Sequence, residues 1–103
     1  MNDIRPKQSK FLGRVYKFVY VPELVSGDDE LYGLCVHDEQ KIYIQEGQLP
    51  DIEKSTILHE VLHQLLLTLE MDTPTEERVV NHLGHSIIAH MKDNKKFWEF
   101  LKK

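Results

Sequence analysis

The hydrophobic pattern of this chain of 103 residues changes its period at Pro50. Before Pro50, three runs rich in β-branched and aromatic residues predict strands at 15–21, 31–37 and 41–45. After Pro50, apolar residues recur at steps of three and four, which predicts amphipathic helices. We therefore predict an α+β domain with a small antiparallel β-sheet, followed by two main helices and a short C-terminal helix.

Turn and capping residues indicate where these elements should begin and end. Residues 38–40 separate the second and third strands so closely that we expect a hairpin. Asp51 is the expected N-cap of the first helix, which ends near 70–72, and Thr73 or Thr75 is the expected cap of the second. The final helix is expected to dock through its aromatic residues, with solvated lysines around them.

Length, charge and cysteine content limit the class of protein. A chain of this length has room for one domain, 1–103, of which the polar residues 1–10 are expected to form a flexible tail. The net charge of −4 makes nucleic acid a poor expected partner. The single cysteine, Cys35, and the lack of a signal-like N-terminus predict a cytoplasmic protein, and no apolar stretch is long enough to predict a membrane partner.

The segment His59-Glu60-Val61-Leu62-His63 has the pattern H-E-x-x-H and lies inside the strongest helical repeat. Residues four apart on a helix are neighbours one turn apart, so the imidazoles of His59 and His63 can converge on one metal ion. Glu60 stands where its carboxylate can take a proton from a water molecule that the metal activates. The pattern predicts a site with His59 and His63 as ligands, Zn²⁺ as the cofactor and Glu60 as the catalytic base.

A helical-wheel projection indicates where these side chains should point. It puts His59 and His63 at the margin of the apolar face, where a cleft would open, and puts Glu60 further out. The alternative is that the two histidines pack against the core with an exposed Glu60 between them.

A zinc site of this kind needs a third protein ligand and one open position. Leu66 and Leu69 stand where a metzincin would have Gly and His, so that ligand set is excluded. Glu76 and Glu77 follow His63 by thirteen and fourteen residues on the next predicted helix, and an antiparallel helix pair would bring them beside the histidines. The apolar stripe of that helix favours Glu76 as the third ligand. Either acid can instead stabilise the helix N-terminus, so the choice between Glu76 and Glu77 as the ligand stays open at this point.

The sequence resembles the zincin metallopeptidases, and more narrowly the minimal gluzincin-like proteins of phages and prophages that are related to the ImmA/IrrE group. Three segments within roughly residues 31–101 carry the resemblance. They are Leu58–His63; Glu77–Leu83, which is similar to the E-x-E-A-N-x-F segment of that group; and Lys92-Asp93-Asn94. The chain departs from the family pattern at Leu62, Val80 and Leu83, where the family has Gly, Ala and Phe.

The resemblance implies a zinc peptidase fold with a small antiparallel sheet beside the active-site helix. It also implies that His59, His63 and Glu77 are the metal ligands and that Glu60 is the base. We therefore expect a zinc-dependent metallopeptidase-like protein that hydrolyses a peptide bond of a peptide or protein substrate. The alternatives are a catalytically silent zinc-binding structural or regulatory module and a metal-free helical adaptor.

Peptide hydrolysis also needs a donor that stabilises the oxyanion and a surface that holds the substrate. His82, His85 and Tyr43 are the candidate donors. The strand 41–45, which we expect at the edge of the sheet, is a candidate surface because an extended peptide can be added to an edge strand.

Overall fold

The computed structural model describes residues 4–103, and these residues form a small α+β domain with a mixed sheet. The strands, in chain order, are β1 (Gln8–Phe11), β2 (Arg14–Val21), β3 (Val25–Ser26), β4 (Asp29–Glu30), β5 (Gly33–Val36) and β6 (Lys41–Gln45). Four of them form one sheet in the order β1-β2-β6-β5, and β3 and β4 form a separate hairpin.

The predicted antiparallel sheet is wrong for one pair of strands, because β2 and β6 run parallel. Phe18 of β2 lies opposite Ile42 of β6, and Tyr20 lies opposite Ile44. Between β2 and β6 the chain forms the β3–β4 hairpin and then β5, which runs antiparallel to both. The chain therefore enters β6 at the same end of the sheet at which it entered β2. The predicted hairpin of the second and third strands is confirmed, since β5 and β6 pair antiparallel with Cys35 opposite Ile42.

The strand β6 lies inside the sheet, and β5 forms the edge. The prediction that the segment 41–45 is an edge strand is therefore wrong. Both sides of β6 are hydrogen-bonded to neighbouring strands, and its Ile42 and Ile44 are fully buried. The strand that can accept a further strand next to the helices is β5.

The N-terminal segment is more ordered than its polar composition predicts. Residues 1–3 of the expected tail lie outside the described residues, and β1 begins at Gln8. Leu12 and Gly13 both have positive φ angles (50° and 82°), which suits a tight hairpin turn between β1 and β2. The Ser9 hydroxyl donates to the side-chain oxygen of Gln64 at 2.6 Å, so the strand is also attached to the first helix.

The helices are α1 (Pro50–Leu66), α2 (Thr73–Asp93) and α3 (Lys95–Leu101), and a 3₁₀ turn at Leu67–Leu69 follows α1. Pro50 occupies the first turn of α1, so Asp51 lies inside the helix and is not its N-cap. Asp72, and neither Thr73 nor Thr75, caps α2, because its carboxylate accepts a hydrogen bond from the backbone N–H of Thr75 at 3.0 Å.

Two apolar layers hold α1 in place. Tyr16, Ile42 and Ile44 are fully buried between the sheet and α1, where Ile57 and Val61 pack against them. On its other side, Leu62 of α1 and Val80 of α2 are buried where the two helices pack together. Because α1 is held between the sheet and α2, its remaining face, which carries the histidines, faces a cavity.

The C-terminal helix docks against His90 of α2 through the rings of Phe97 and Trp98. The indole N–H of Trp98 donates to Nδ1 of His90 at 2.9 Å, and Phe100, which is 71% exposed, stays largely in solvent. Within residues 4–103, no helix combines the length and the apolar character that a membrane span requires.

Candidate metal centre

A cavity of about 810 Å³ lies between β5, α1 and α2. His59 and His63 line it from α1, and Glu77 lines it from the first turns of α2. The short turn between the helices explains this proximity, because it brings the beginning of α2 back alongside the second half of α1. The expected grouping of histidines and acids across the helix pair is therefore present.

The carboxylate of Glu77 joins the two histidines. Its Oε1 atom lies 3.0 Å from Nε2 of His59, and its Oε2 atom lies 3.1 Å from Nε2 of His63. One ligand atom from each of the three residues can be chosen so that all of them lie within 4.8 Å of one another. His59, His63 and Glu77 can therefore hold a metal ion.

Glu76 contacts the other nitrogen of His63. Its Oε2 atom lies 2.6 Å from Nδ1 of that ring, and both side chains are largely buried. A carboxylate on Nδ1 fixes the ring orientation and leaves Nε2 as the metal-binding atom. The two acids that the sequence could not separate thus have different partners, since Glu77 faces both Nε2 atoms and Glu76 faces Nδ1.

The environment of His59 favours its neutral form, which is the form that binds metals. Burial lowers the pKa of His59, and the opposing effect of the Glu77 carboxylate is smaller. The positive field of His63 lowers the pKa further. Metal binding at His59 would therefore require little displacement of protons near neutral pH.

Glu60 is buried, with 7% of its surface exposed, whereas the helical wheel predicted a position further out. A helical wheel describes a single helix, and here the edge strand β5 covers that side of α1. A Cβ atom at Gly33 would lie 2.9 Å from Cγ of Glu60 and 2.8 Å from Cγ2 of Thr56, so only glycine allows this close approach.

The burial of Glu60 changes its acidity. The pKa of its carboxyl group is raised to about 7: desolvation is the largest cause and the Glu77 charge adds to it, whereas His63 and a hydrogen bond from the Cys35 backbone oppose the rise. The Oε2 atom lies 4.0 Å from Nε2 of His59, at the edge of the three-residue cluster. Such a carboxyl group can both accept and donate a proton near neutral pH.

The candidate oxyanion donors lie in different places. His85 lines the cavity, whereas His82 lines a separate depression on the outer side of α2 with Arg78. Tyr43 alternates with the buried Ile42 and Ile44 along β6 and so projects from the other face of the sheet, where its hydroxyl donates to Glu39. Of the three candidates, the structure brings only His85 to the cavity.

The strand β5 and the residue after it also line the cavity, which the sequence pattern does not predict. Cys35 and His37 both do so, and the hydroxyl of the buried Tyr16 lies 2.9 Å from Nδ1 of His37. Burial, followed by the charges of Glu60 and Glu76, raises the pKa of the Cys35 thiol to about 12, so this group is a poor nucleophile. The sequence signal, a Cys-x-His pair within a predicted strand, was too short to be diagnostic.

No family model, curated protein or solved structure significantly matches this chain. The side chains of the cavity are therefore the basis on which a function can be proposed.

Proposed function

We propose that this protein is a minimal zinc-dependent metallopeptidase of the gluzincin type, which acts on peptide or protein substrates in the cytoplasm. The observation that carries the proposal is the approach of both Nε2 atoms, from His59 and His63, to the carboxylate of Glu77 at 3.0 and 3.1 Å. Two imidazole nitrogens and one carboxylate are the ligand set of many catalytic zinc sites. The resemblance to the ImmA/IrrE group supports the same assignment.

The donor atoms fit zinc in chemistry and in access. Imidazole and carboxylate are both common zinc ligands, and the pair Glu76–His63 has the carboxylate–histidine arrangement that orients such ligands. Glu77 is 47% exposed, so the cluster is open to the cavity and to a substrate. Zn²⁺ at this position would supply a Lewis acid that polarises a peptide carbonyl and lowers the pKa of water toward about 7.

Glu60 has the position and the acidity of a general base. We propose that its carboxylate accepts a proton from the attacking water and then passes that proton to the leaving amine. Burial beneath Gly33 holds the carboxylate in one orientation and raises its pKa, which favours this second transfer. Among the candidate oxyanion donors, His85 is the one that the proposal retains, because it lines the same cavity.

The edge strand β5 offers a binding surface for the substrate backbone. Its inner edge pairs with β6, and its outer edge ends the sheet beside the cavity. An extended peptide added to this edge would pass over Glu60 and the histidines. This replaces the expectation that the peptide pairs with segment 41–45.

Glu60→Gln tests the proposal most directly when it is compared with His59→Ala. In zinc-loaded protein, Glu60→Gln should retain stoichiometric zinc and abolish peptide hydrolysis, whereas His59→Ala should lose zinc. Zinc content that stays stoichiometric in His59→Ala would contradict the ligand assignment. Zinc binding without any hydrolysis in the parent protein would favour the zinc-binding interaction module instead.

A further inference from the structure

We propose that the cavity contains a preformed apolar subsite, built from Leu31, Tyr32 and Ile52, which binds a bulky apolar side chain about three residues from the scissile bond of an extended peptide. This inference rests on the proposed function and adds a substrate class to it.

The apolar subsite belongs to the same cavity as the candidate ligands. Ile52 and His59 both line that cavity from α1, and Ile52 precedes His59 by seven residues. At a rise of about 1.5 Å per residue, this separation is about 10 Å along the helix axis. An extended peptide advances about 3.3 Å per residue, so about three residues span the distance between the subsite and the metal cluster.

The side chains of the subsite are largely apolar, and two of the three are exposed to solvent while Leu31 is partly buried. Tyr32 is 61% exposed and Ile52 is 43% exposed, although both are large enough to be stabilised by burial. Tyr32 precedes β5 and Ile52 lies in the first turn of α1, whereas His37 follows β5 and Glu76 lies on α2, and all four residues line the cavity. Ligand sites commonly combine an apolar surface with a few polar groups. The apolar surface can bind one side chain of a substrate while the polar groups act on a neighbouring part of the same substrate.

Gln48 holds the apolar subsite in position. Its side-chain amide donates to the carbonyl oxygens of Tyr32 and Gln45 at 3.2 and 2.7 Å, and its carbonyl accepts from the Thr56 hydroxyl at 2.9 Å. These bonds connect the segment before β5 to α1, so Tyr32 and Ile52 keep their relative positions without a ligand. A subsite that is already formed loses little entropy when it binds.

The charge near the subsite selects against one class of side chain. Asp51, next to Ile52, also lines the cavity. An acidic substrate side chain would be placed near this carboxylate and would be repelled. We therefore expect a preference for Phe, Leu or Met, and rejection of Asp and Glu.

The experiment uses peptide hydroxamates, because the hydroxamate binds zinc and fixes the register of the peptide. Peptides of Gly and Ser carry a single Phe one to four residues from the hydroxamate, on either side of it, and calorimetry measures their affinity for the zinc-loaded protein. We expect the tightest binding when Phe is three residues away on one side. Ile52→Ser should weaken that peptide alone by about tenfold.

Leu69→Ser is the matched control, because Leu69 is an exposed leucine (63%) outside the residues that line the cavity. It should leave all affinities unchanged. Equal affinities for all Phe positions, or an equal effect of Ile52→Ser on every peptide, would overturn the subsite and leave the proposed function intact. A zinc-loaded protein that binds no hydroxamate would instead contradict the proposed function.

A second measurement tests the subsite without any metal. The metal-free protein, labelled at isoleucine methyl groups, is titrated with the Phe peptide that lacks the hydroxamate. A shift of the Ile52 methyl signal that is absent with the Gly and Ser peptide supports the subsite. No shift at millimolar peptide overturns it.

Discussion

Oε2 of Glu76 lies 2.6 Å from Nδ1 of His63, on the side of the ring opposite to the atom that faces Glu77. This contact distinguishes the roles of two adjacent acids. Glu77 can bind a metal ion, whereas Glu76 can orient His63, which is another ligand of that ion. Carboxylates that orient a metal-binding histidine contribute to affinity without touching the metal.

The first prediction concerns these two acids. Glu76→Gln should weaken zinc binding by about 10- to 100-fold, because the amide supports His63 less well than a carboxylate. Glu77→Gln should weaken binding further, since it alters a ligand. Competition with a chromogenic chelator measures both affinities, and Glu70→Gln is the control on an exposed acid. Equal losses in Glu76→Gln and Glu77→Gln would contradict the assignment of separate roles.

The second prediction concerns zinc and stability. Free zinc at a hundredfold excess over Kd should raise the free energy of unfolding by about 2.7 kcal/mol, because the metal binds the folded state. EDTA should reverse the effect, and His59→Ala should show no response to zinc. Thermal unfolding followed by circular dichroism measures the difference. If zinc raised the free energy of unfolding equally in the parent protein and in His59→Ala, the zinc-binding site would lie elsewhere in the protein.

The third prediction contrasts two glycines. Gly33→Ala should lower the free energy of unfolding by about 1–3 kcal/mol, because the added methyl group would overlap Glu60 and Thr56. Gly84→Ala should raise it by about 0.5–1 kcal/mol, because Gly84 is helical and its Cβ would make an ordinary contact of 3.9 Å with Leu62. Denaturant titration of both variants tests the opposite signs. An unchanged free energy of unfolding in Gly33→Ala would show that β5 can move away from Glu60.

The fourth prediction concerns the Cys35 thiol. Its pKa is raised to about 12, chiefly by burial. Alkylation of the metal-free folded protein by iodoacetamide at pH 8 should therefore be roughly a thousandfold slower than alkylation of a free cysteine. Mass spectrometry follows the reaction, and the protein unfolded in guanidinium is the control. Similar rates in both states would mean that the thiol is accessible and ionised.

The fifth prediction concerns the pH dependence of the α2 cap. The hydrogen bonds from Thr75 lower the pKa of Asp72 below its ordinary value of 3.8. The stabilisation by Asp72 is therefore present above pH 3.8 and is lost as the pH falls through the lowered pKa of the folded state. Asp72→Ala should reduce Tm at pH 7 by more than at pH 2, where only the hydrogen bond to a neutral carboxyl group remains, whereas Asp72→Asn should keep this charge-independent part of the cap at both pH values. If the difference in Tm between the parent protein and Asp72→Ala did not change with pH, the role of the Asp72 charge would be contradicted.

Much of the local structure follows from the sequence. The hydrophobic period, the short connection 38–40 and the residues near Pro50 and Pro74 are enough to predict three strands, one hairpin and the helices, because these signals act between near neighbours. The H-E-x-x-H spacing likewise predicts that His59 and His63 share one side of a helix, since helical geometry alone determines it.

Tertiary structure decided the features that depend on distant parts of the chain. The parallel pairing of β2 with β6, and the edge position of β5, follow from how the whole sheet assembles, and no local signal encodes the direction of a pairing between separated strands. Glu60 is buried because β5 packs over α1 at Gly33. Glu76 and Glu77 take different partners because the packing of α2 on α1 sets the rotation of α2. The sequence by itself determined the residues available for a metal site, and packing between elements decided which atom of each residue faces the others.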